Sequence, residues 1–240
     1  MGCFMKYCGG KQKISKPLSA YLQQQLKPNQ PFVDAFCGSC NIISKINATQ
    51  KIANDTHPDL IALWQHVQKE GVICLPDEVS VELYNKAKQG DCERWLRAFI
   101  GFSCSFGGKW FGGYARDKTG RNYAAEAKRS MIAKIEGTKD TLFYHGDYKN
   151  IPLPDNSLIY CDIPYKDTTK FVTSHQFNHD EFWQWVKDRA ADGHDVFVSE
   201  YLRNKPDNTE VVWQIKGQTG LRSKTGNVIA TDEVLLKIVR

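Results

Sequence analysis

No stretch of this 240-residue chain approaches the roughly 20 consecutive apolar residues that a membrane-spanning helix needs. The N-terminal region also lacks the apolar core of a secretory signal, so a cytoplasmic location and no membrane partner are expected. A myristoylation signal is missing too. Met1-Gly2-Cys3 opens like one, but Lys6 stands where Ser or Thr is required. Cysteine is not scarce, yet paired cysteine motifs are: of the eight cysteines, only Cys37 and Cys40 form a C-x-x-C. A structural zinc site needs a second pair, and without an export signal disulfides are not expected. Free thiols and no bound metal follow. Internal repeats and low-complexity tracts are absent. With 25% charged and 41% hydrophobic residues, the chain has the make-up of a globular domain large enough for one substantial core and an insertion.

The net charge of +5 is modest but unevenly placed. Between positions 94 and 134 stand nine Lys or Arg (94, 97, 109, 116, 118, 121, 128, 129 and 134) against Asp117 and Glu126. That stretch alone exceeds the net charge of the chain, and a concentrated basic region permits a polyanionic partner. Seven segments read as strands, near 31–37, 51–55, 141–144, 157–162, 195–200, 211–216 and 233–239. The last two are expected as an antiparallel pair. Residues 42–47 look helical, as does the run carrying Leu60, Ile61, Leu63, Trp64 and Val67 on one face. Asn178 followed by Glu181 reads as a capping box opening a helix that ends near Gly193. This gives an α/β fold with a mixed, mostly parallel seven-stranded sheet. A helical, basic insertion at 65–140 divides the halves 1–64 and 141–240.

Residues 158–165, Leu-Ile-Tyr-Cys-Asp-Ile-Pro-Tyr, carry the clearest chemistry. An apolar strand ending in Asp162 brings a carboxylate to the carboxyl edge of the sheet, where open α/β sheets bind ligands. Pro164 then stops the strand and places Tyr165 across the opening. A carboxylate, a backbone carbonyl at Ile163 and a flat ring suit an amino group on a planar base: two acceptors for its two N–H donors, and a stacking face. The turn after the first strand, with Gly38, allows close backbone approach to a nucleoside, and Asp55, about 20 residues on, is placed for ribose hydroxyls. That pattern alone also fits an ordinary βαβ turn.

The combination is more specific. Lys6-Tyr7-Cys8-Gly9-Gly10-Lys11, Phe32-Val33-Asp34-Ala35-Phe36-Cys37-Gly38, Asn54-Asp55-Thr56-His57-Pro58-Asp59-Leu60 and Asp162-Ile163-Pro164-Tyr165, in this order, resemble the Dam-like (D12 class) adenine-N6 DNA methyltransferases, of phage or prophage type. The resemblance runs from about Lys6 to the last strand. It implies a Rossmann-like S-adenosylmethionine-dependent methyltransferase domain with an inserted target-recognition region, acting on double-stranded DNA as a monomer or as a transient dimer on DNA. If a phage encodes the chain, its place is the host-cell cytoplasm. A restriction-modification or anti-restriction role would follow.

Carried over by position, the resemblance implies that Tyr7 and Lys11 line the methyl-donor pocket, Phe36 and Gly38 shape the cofactor turn, and Asp55 binds the ribose. Asp147 would lie beside the cofactor adenine, with Asp162 reaching both donor and acceptor. Asp162, Ile163, Pro164 and Tyr165 would be the catalytic loop. Two departures stand out: Cys40 replaces a second glycine of the turn, and Ile163 replaces the first proline of D-P-P-Y.

In the insertion, Lys109, Arg116, Arg121 and Asn122 are candidate DNA contacts, Arg121 and Asn122 as base readers and Arg116 as a phosphate anchor. Trp110, Phe111 and Tyr114, interleaved with glycines, read as a surface that meets DNA. His175 and His179 read as no more than a helix start. Related loops act on RNA adenine or protein glutamine, which also present a planar amino group, and a non-catalytic DNA-binding descendant is a third alternative.

Overall fold

The computed structural model describes residues 10–116, 120–165, 177–216, 221–222, 228–229 and 232–239. Tyr7, Lys118 and His175, named above, lie outside them. Five parallel strands come first: β1 (Phe32–Asp34), β2 (Lys51–Asp55), β3 (Thr141–His145), β4 (Leu158–Asp162) and β5 (Asp195–Tyr201). β6 (Thr209–Ile215) follows, then a separate two-stranded ribbon of β7 (Leu221–Arg222) and β8 (Val228–Ile229), then β9 (Glu233–Ile238). The main sheet has the order β3-β2-β1-β4-β5-β9-β6, with β9 antiparallel to both of its neighbours. This is the mixed, Rossmann-like, seven-stranded sheet expected. The order reverses between β1 and β4, which opens a crevice at their carboxyl ends.

Helices cover both faces, so the central strands are apolar on both sides instead of alternating. On one face Val33, Ile159, Cys161, Val196 and Val198 pack with Phe182, Trp185 and Val186 of α6 (His179–Ala191). On the other, Phe32, Tyr160, Phe197 and Leu235 pack against α1 (Ser15–Gln25) and α2 (Pro58–Glu70). The described residues of 65–140 share the main core. Tyr84 of α3 (Val81–Gln89), Ala98 of α4 (Arg94–Ala98) and Met131 of α5 (Tyr123–Thr138) belong to the same buried cluster as Leu18 and Trp64. The border expected at 64/65 falls inside α2, which runs unbroken across it. Among the described residues no helix is long and apolar enough to cross a membrane.

Two local expectations change. The helix read at 42–47 is a single 3-10 turn, Ile43–Lys45, because Ile46 is already extended and no side chain caps the start. At α6 the cap is Asn178, whose Oδ1 accepts from the backbone N–H of Asp180 and Glu181, but Glu181 itself reaches Lys149 at 2.8 Å. Cap and helix hold; the reciprocal half of the capping box is replaced by an ion pair.

α5 ties the inserted segment to the first strand-turn unit. A Cβ at Gly137 would overlap the Ser44 carbonyl oxygen, so glycine is what lets α5 lie directly on the 3-10 turn. Gly137→Ala is expected to lower stability by about 1–3 kcal/mol through this overpacking. The higher helix propensity of alanine, worth up to about 1 kcal/mol, offsets part of that. Urea denaturation of the variant checks it, and an unchanged midpoint would mean the contact is slack.

Candidate functional site

β1 ends in Asp34, β2 in Asp55 and β4 in Asp162, three neighbouring strands with an acid at each carboxyl end. The register places Asp34 level with Ala53 and Tyr160, so Asp55 and Asp162 each stand two residues further out. At about 3.3 Å per residue the outer carboxylates lie above a deeper one.

The turn after β1 is held from several sides. Gly38 N–H donates to Asp55 Oδ2 at 3.0 Å, and the Trp64 indole donates to the Gly38 carbonyl at 3.0 Å. Lys134 of α5 donates to the Ser39 carbonyl at 2.6 Å, and burial lowers its ammonium to about 8. Gly38 and Cys40 both have left-handed backbone, with φ of 47° and 53°. The position where the resemblance has a second glycine is therefore one that favours glycine, and Cys40 occupies it with a fully buried side chain. Cys37 and Cys40 are free thiols.

Asp55 spends both oxygens on backbone, since His57 N–H donates to Oδ1 at 2.9 Å while Gly38 takes Oδ2. Asp147 closes the turn after β3, accepting from Lys149 N–H at 2.9 Å. Phe36 packs against Tyr148, Phe177 and Phe182, with ring centroids 5.6–5.9 Å apart. Asp34 is almost fully buried, and its Oδ1 has no partner among the described residues. Burial first, and then the nearby Asp162, hold its carboxyl well above the usual range.

The end of β4 forms the densest group. Lys11, in the loop before α1, is buried and donates to Asp162 Oδ1 at 2.5 Å. Its ammonium is also 3.1 Å from Glu233 Oε1 and 4.5 Å from the centre of the Tyr165 ring. The Tyr165 hydroxyl donates to the same Glu233 oxygen at 2.6 Å, and its ring meets Tyr201 edge-on at 4.6 Å. Burial pushes Asp162 up to about 6, against the pull of Lys11 and with a smaller push from Glu233. For Lys11, burial works against the charge, but Asp162 and Glu233 outweigh it and the ammonium is held above its ordinary value. Ile163 is buried in the core on the α6 face, so its side chain anchors the loop from below.

Lys11, Asp162 and Tyr165 thus come together, and Asp55, Gly38 and Phe36 surround the neighbouring turn. Asp34 and Glu233 were not among the residues singled out from the sequence. Asp34 was visible as a strand-end acid. Glu233 was visible once 233–239 was read as antiparallel, because the first residue of such a strand lies at the edge where parallel strands end.

The inserted segment departs further from expectation. Asn122 is the N-cap of α5: its Oδ1 accepts from Ala125 N–H at 2.9 Å and its amide nitrogen donates to the Asp77 carbonyl at 2.9 Å. Each end of the amide therefore already makes one bond within the chain. Arg121 forks onto Glu126 at 2.5 and 2.6 Å. Of the other basic residues, Arg97 pairs with Asp59 at 3.1 Å and Lys128 with Asp77 at 2.9 Å. Lys109 and Arg116 are exposed.

The rings of the aromatic-glycine loop turn inward, while Lys109 and most of its glycines stay exposed. Phe111 is buried, and Trp110 and Tyr114 pack on the core. Gly101 makes this possible: a Cβ there would come within 2.6 Å of the Trp110 ring, and its carbonyl accepts from Phe111 N–H at 3.0 Å. The exposed aromatic is Phe106, 72% accessible, beside the left-handed Gly107 and Gly108.

Residues 7–97 match the family model of the D12 class N6 adenine-specific DNA methyltransferases. The matched span holds Lys11, the β1 turn and Asp55, and stops before β4. Among solved structures, the chain is similar to a putative methyltransferase from Escherichia coli, with 9% identity, TM-score 0.41 and 94% of this chain and 84% of that one covered. It is also similar to a putative class I S-adenosylmethionine-dependent methyltransferase from Listeria monocytogenes (11% identity, TM-score 0.41, 97% and 61% covered). A third is precorrin 8w decarboxylase from Methanobacterium thermoautotrophicum (10% identity, TM-score 0.40, 93% and 90% covered). No curated protein sequence matches the chain.

Proposed function

We propose that this chain is an S-adenosylmethionine-dependent methyltransferase that methylates N6 of adenine in double-stranded DNA, after the base has been extruded from the duplex. One observation carries the reading. The match to D12 adenine methyltransferases over 7–97 includes Lys11, and Lys11 is held at 2.5 Å on Asp162, the acid of the Asp162-Ile163-Pro164-Tyr165 loop far outside the matched span.

The residues present fit the cofactor. A buried Asp34 oxygen lacking a partner among the described residues suits an ammonium group, and the left-handed turn at Gly38 and Cys40 keeps side chains away from a close ligand. Asp34, Phe36, Gly38, Asp55 and Asp147 would hold it, with Lys11 and Asp162 at its reactive end; Tyr7 would join them. Each Asp55 oxygen, although bonded to backbone, has a further lone pair for a ribose hydroxyl. When bound, the cofactor supplies an activated sulfonium methyl group.

The rest is the work of the chain. Adenine N6 is a weak nucleophile because its lone pair is delocalised into the ring. Hydrogen bonds from its two N–H groups to Asp162 and to the Ile163 carbonyl draw the nitrogen toward a tetrahedral amine and free the lone pair. The second acceptor is a backbone carbonyl, which isoleucine supplies as well as proline does. Alignment of donor and acceptor can contribute about 7–11 kcal/mol. Asp162, at about 6, is also placed to take the proton that the methylated nitrogen sheds. Tyr165 would stack on the extruded base, offsetting part of the few kcal/mol that extrusion costs.

Incubation with a tritiated methyl donor and unmethylated duplex DNA, RNA or protein tests the reading, with nuclease digestion and mass spectrometry of the product. N6-methyladenine in DNA is expected. Label only in RNA or in protein glutamine would move the acceptor, and no label anywhere would leave a non-catalytic DNA-binding protein.

On the DNA side, the exposed Lys109 and Arg116 are the proposed phosphate contacts. Replacing both by alanine is expected to weaken binding about equally for all sequences and to reduce the slope of log K against log salt by about two, with cofactor affinity unchanged. An unaltered slope would remove this segment from the DNA surface.

A further inference from the structure

We propose that Glu233 is a positioning residue of the methyl-transfer site: it keeps the Lys11 ammonium partnered and the Tyr165 ring in place while Asp162 turns from Lys11 to the substrate amine. The inference rests on the reaction proposed above. Its basis is the sharing of atoms around one buried cation. Lys11 is bonded to Asp162 Oδ1, and the substrate amine would draw on the same carboxylate, so each bond the carboxylate makes to the amine loosens its hold on the lysine. A buried ammonium left without a counter-charge is strongly destabilising. Glu233 Oε1, 3.1 Å away, is the second carboxylate that removes this conflict.

The same oxygen accepts the Tyr165 hydroxyl at 2.6 Å, which fixes the ring proposed to stack on the base. Its position follows from topology. Glu233 pairs with Tyr201 where β9 starts antiparallel to β5, so the last strand of the sheet delivers its first side chain to the edge where β4 ends.

Glu233 also sets the charge seen by Asp162. The titratable groups around Asp162 are Lys11, Glu233, Asp34, Tyr160, Cys161 and Tyr165. Removing the Glu233 charge takes away a like charge and leaves Lys11 wholly to Asp162. Both changes favour the ionised carboxylate, so its titration moves to lower pH.

The test is Glu233→Gln in the full chain, read in two ways. Carbon-13 NMR of the Asp162 carboxyl, assigned by its loss in Asp162→Asn, needs no turnover. The midpoint is expected to fall by about one pH unit from the parent value near 6. Steady-state kinetics should show kcat lower by about tenfold, KM for the methyl donor within twofold, and the acid limb of the pH profile displaced downward with the NMR midpoint. Tyr165→Phe, which removes only the hydroxyl, should lower kcat without moving the acid limb, and serves as the test if Glu233→Gln does not fold. An unchanged kcat in either variant, or an Asp162 midpoint that stays put in Glu233→Gln, overturns the proposal. If the midpoint moves but the parent protein methylates nothing, the reaction fails and the positioning role with it, while the three-way ion cluster stands. If the parent is active and the variants match it, Glu233 alone is at fault.

Discussion

Asp162→Ala is expected to reduce single-turnover methyl transfer by about 100- to 1,000-fold, the usual cost of removing a group that acts on the transition state. Cofactor affinity should stay within a few-fold, because Asp34, Asp55 and the β1 turn lie on other strands. The variant should fold, since Lys11 retains Glu233 at 3.1 Å. Rapid-quench measurement of labelled product together with a cofactor titration checks both halves. Transfer within about tenfold of the parent would place the chemistry away from β4.

The largest effect on stability is expected at Lys11. Its side chain is 6% exposed and holds two carboxylates that otherwise face each other. Lys11→Met keeps much of the shape and removes the charge, and breaking such a buried pair costs about 3–5 kcal/mol. The loss has a definite pH dependence. Without the ammonium, Asp162 rises further above its value in the unfolded chain, so the folded variant is favoured by protonation and loses stability as pH rises through that folded value. The deficit relative to the parent is therefore largest at and above neutral pH and narrows toward pH 4. Urea denaturation at several pH values measures it, and a deficit independent of pH would show that the ion cluster is not its source.

Much of this arrangement was legible from local sequence. The apolar run ending in Asp162 and the acid ending β2 are strand signals with a reactive group at the end, and strand ends are where an open sheet binds its ligands. Asn178 announced α6 in the same local way. What escaped was decided by partners distant in sequence. Asn122 has the chemistry of a base reader and of a helix cap, and its bond to the Asp77 carbonyl, 45 positions away, was not visible locally. The aromatic-glycine loop looked like a surface because glycine pairs pack poorly by themselves. Its rings pack inward because Gly101, on a different segment, leaves room for two of them. The basic charge of the insertion was likewise overstated by sequence, since Arg97, Arg121 and Lys128 are largely consumed by Asp59, Glu126 and Asp77.

The placement of β9 between β5 and β6 bears on how the protein is made. A ribosome releases β6 before the strand that joins it to the sheet, so until β9 follows, β6 has no described sheet partner and the hydrogen-bonding edge of β5 is open. Unpaired strand edges of this kind are where incompletely folded chains aggregate. β9 both covers that edge and brings in Glu233, so closing this part of the sheet and completing the ion cluster are one event. A folding intermediate in which β9 has not yet docked would therefore lack both the sheet's closing strand and the third member of the ion cluster.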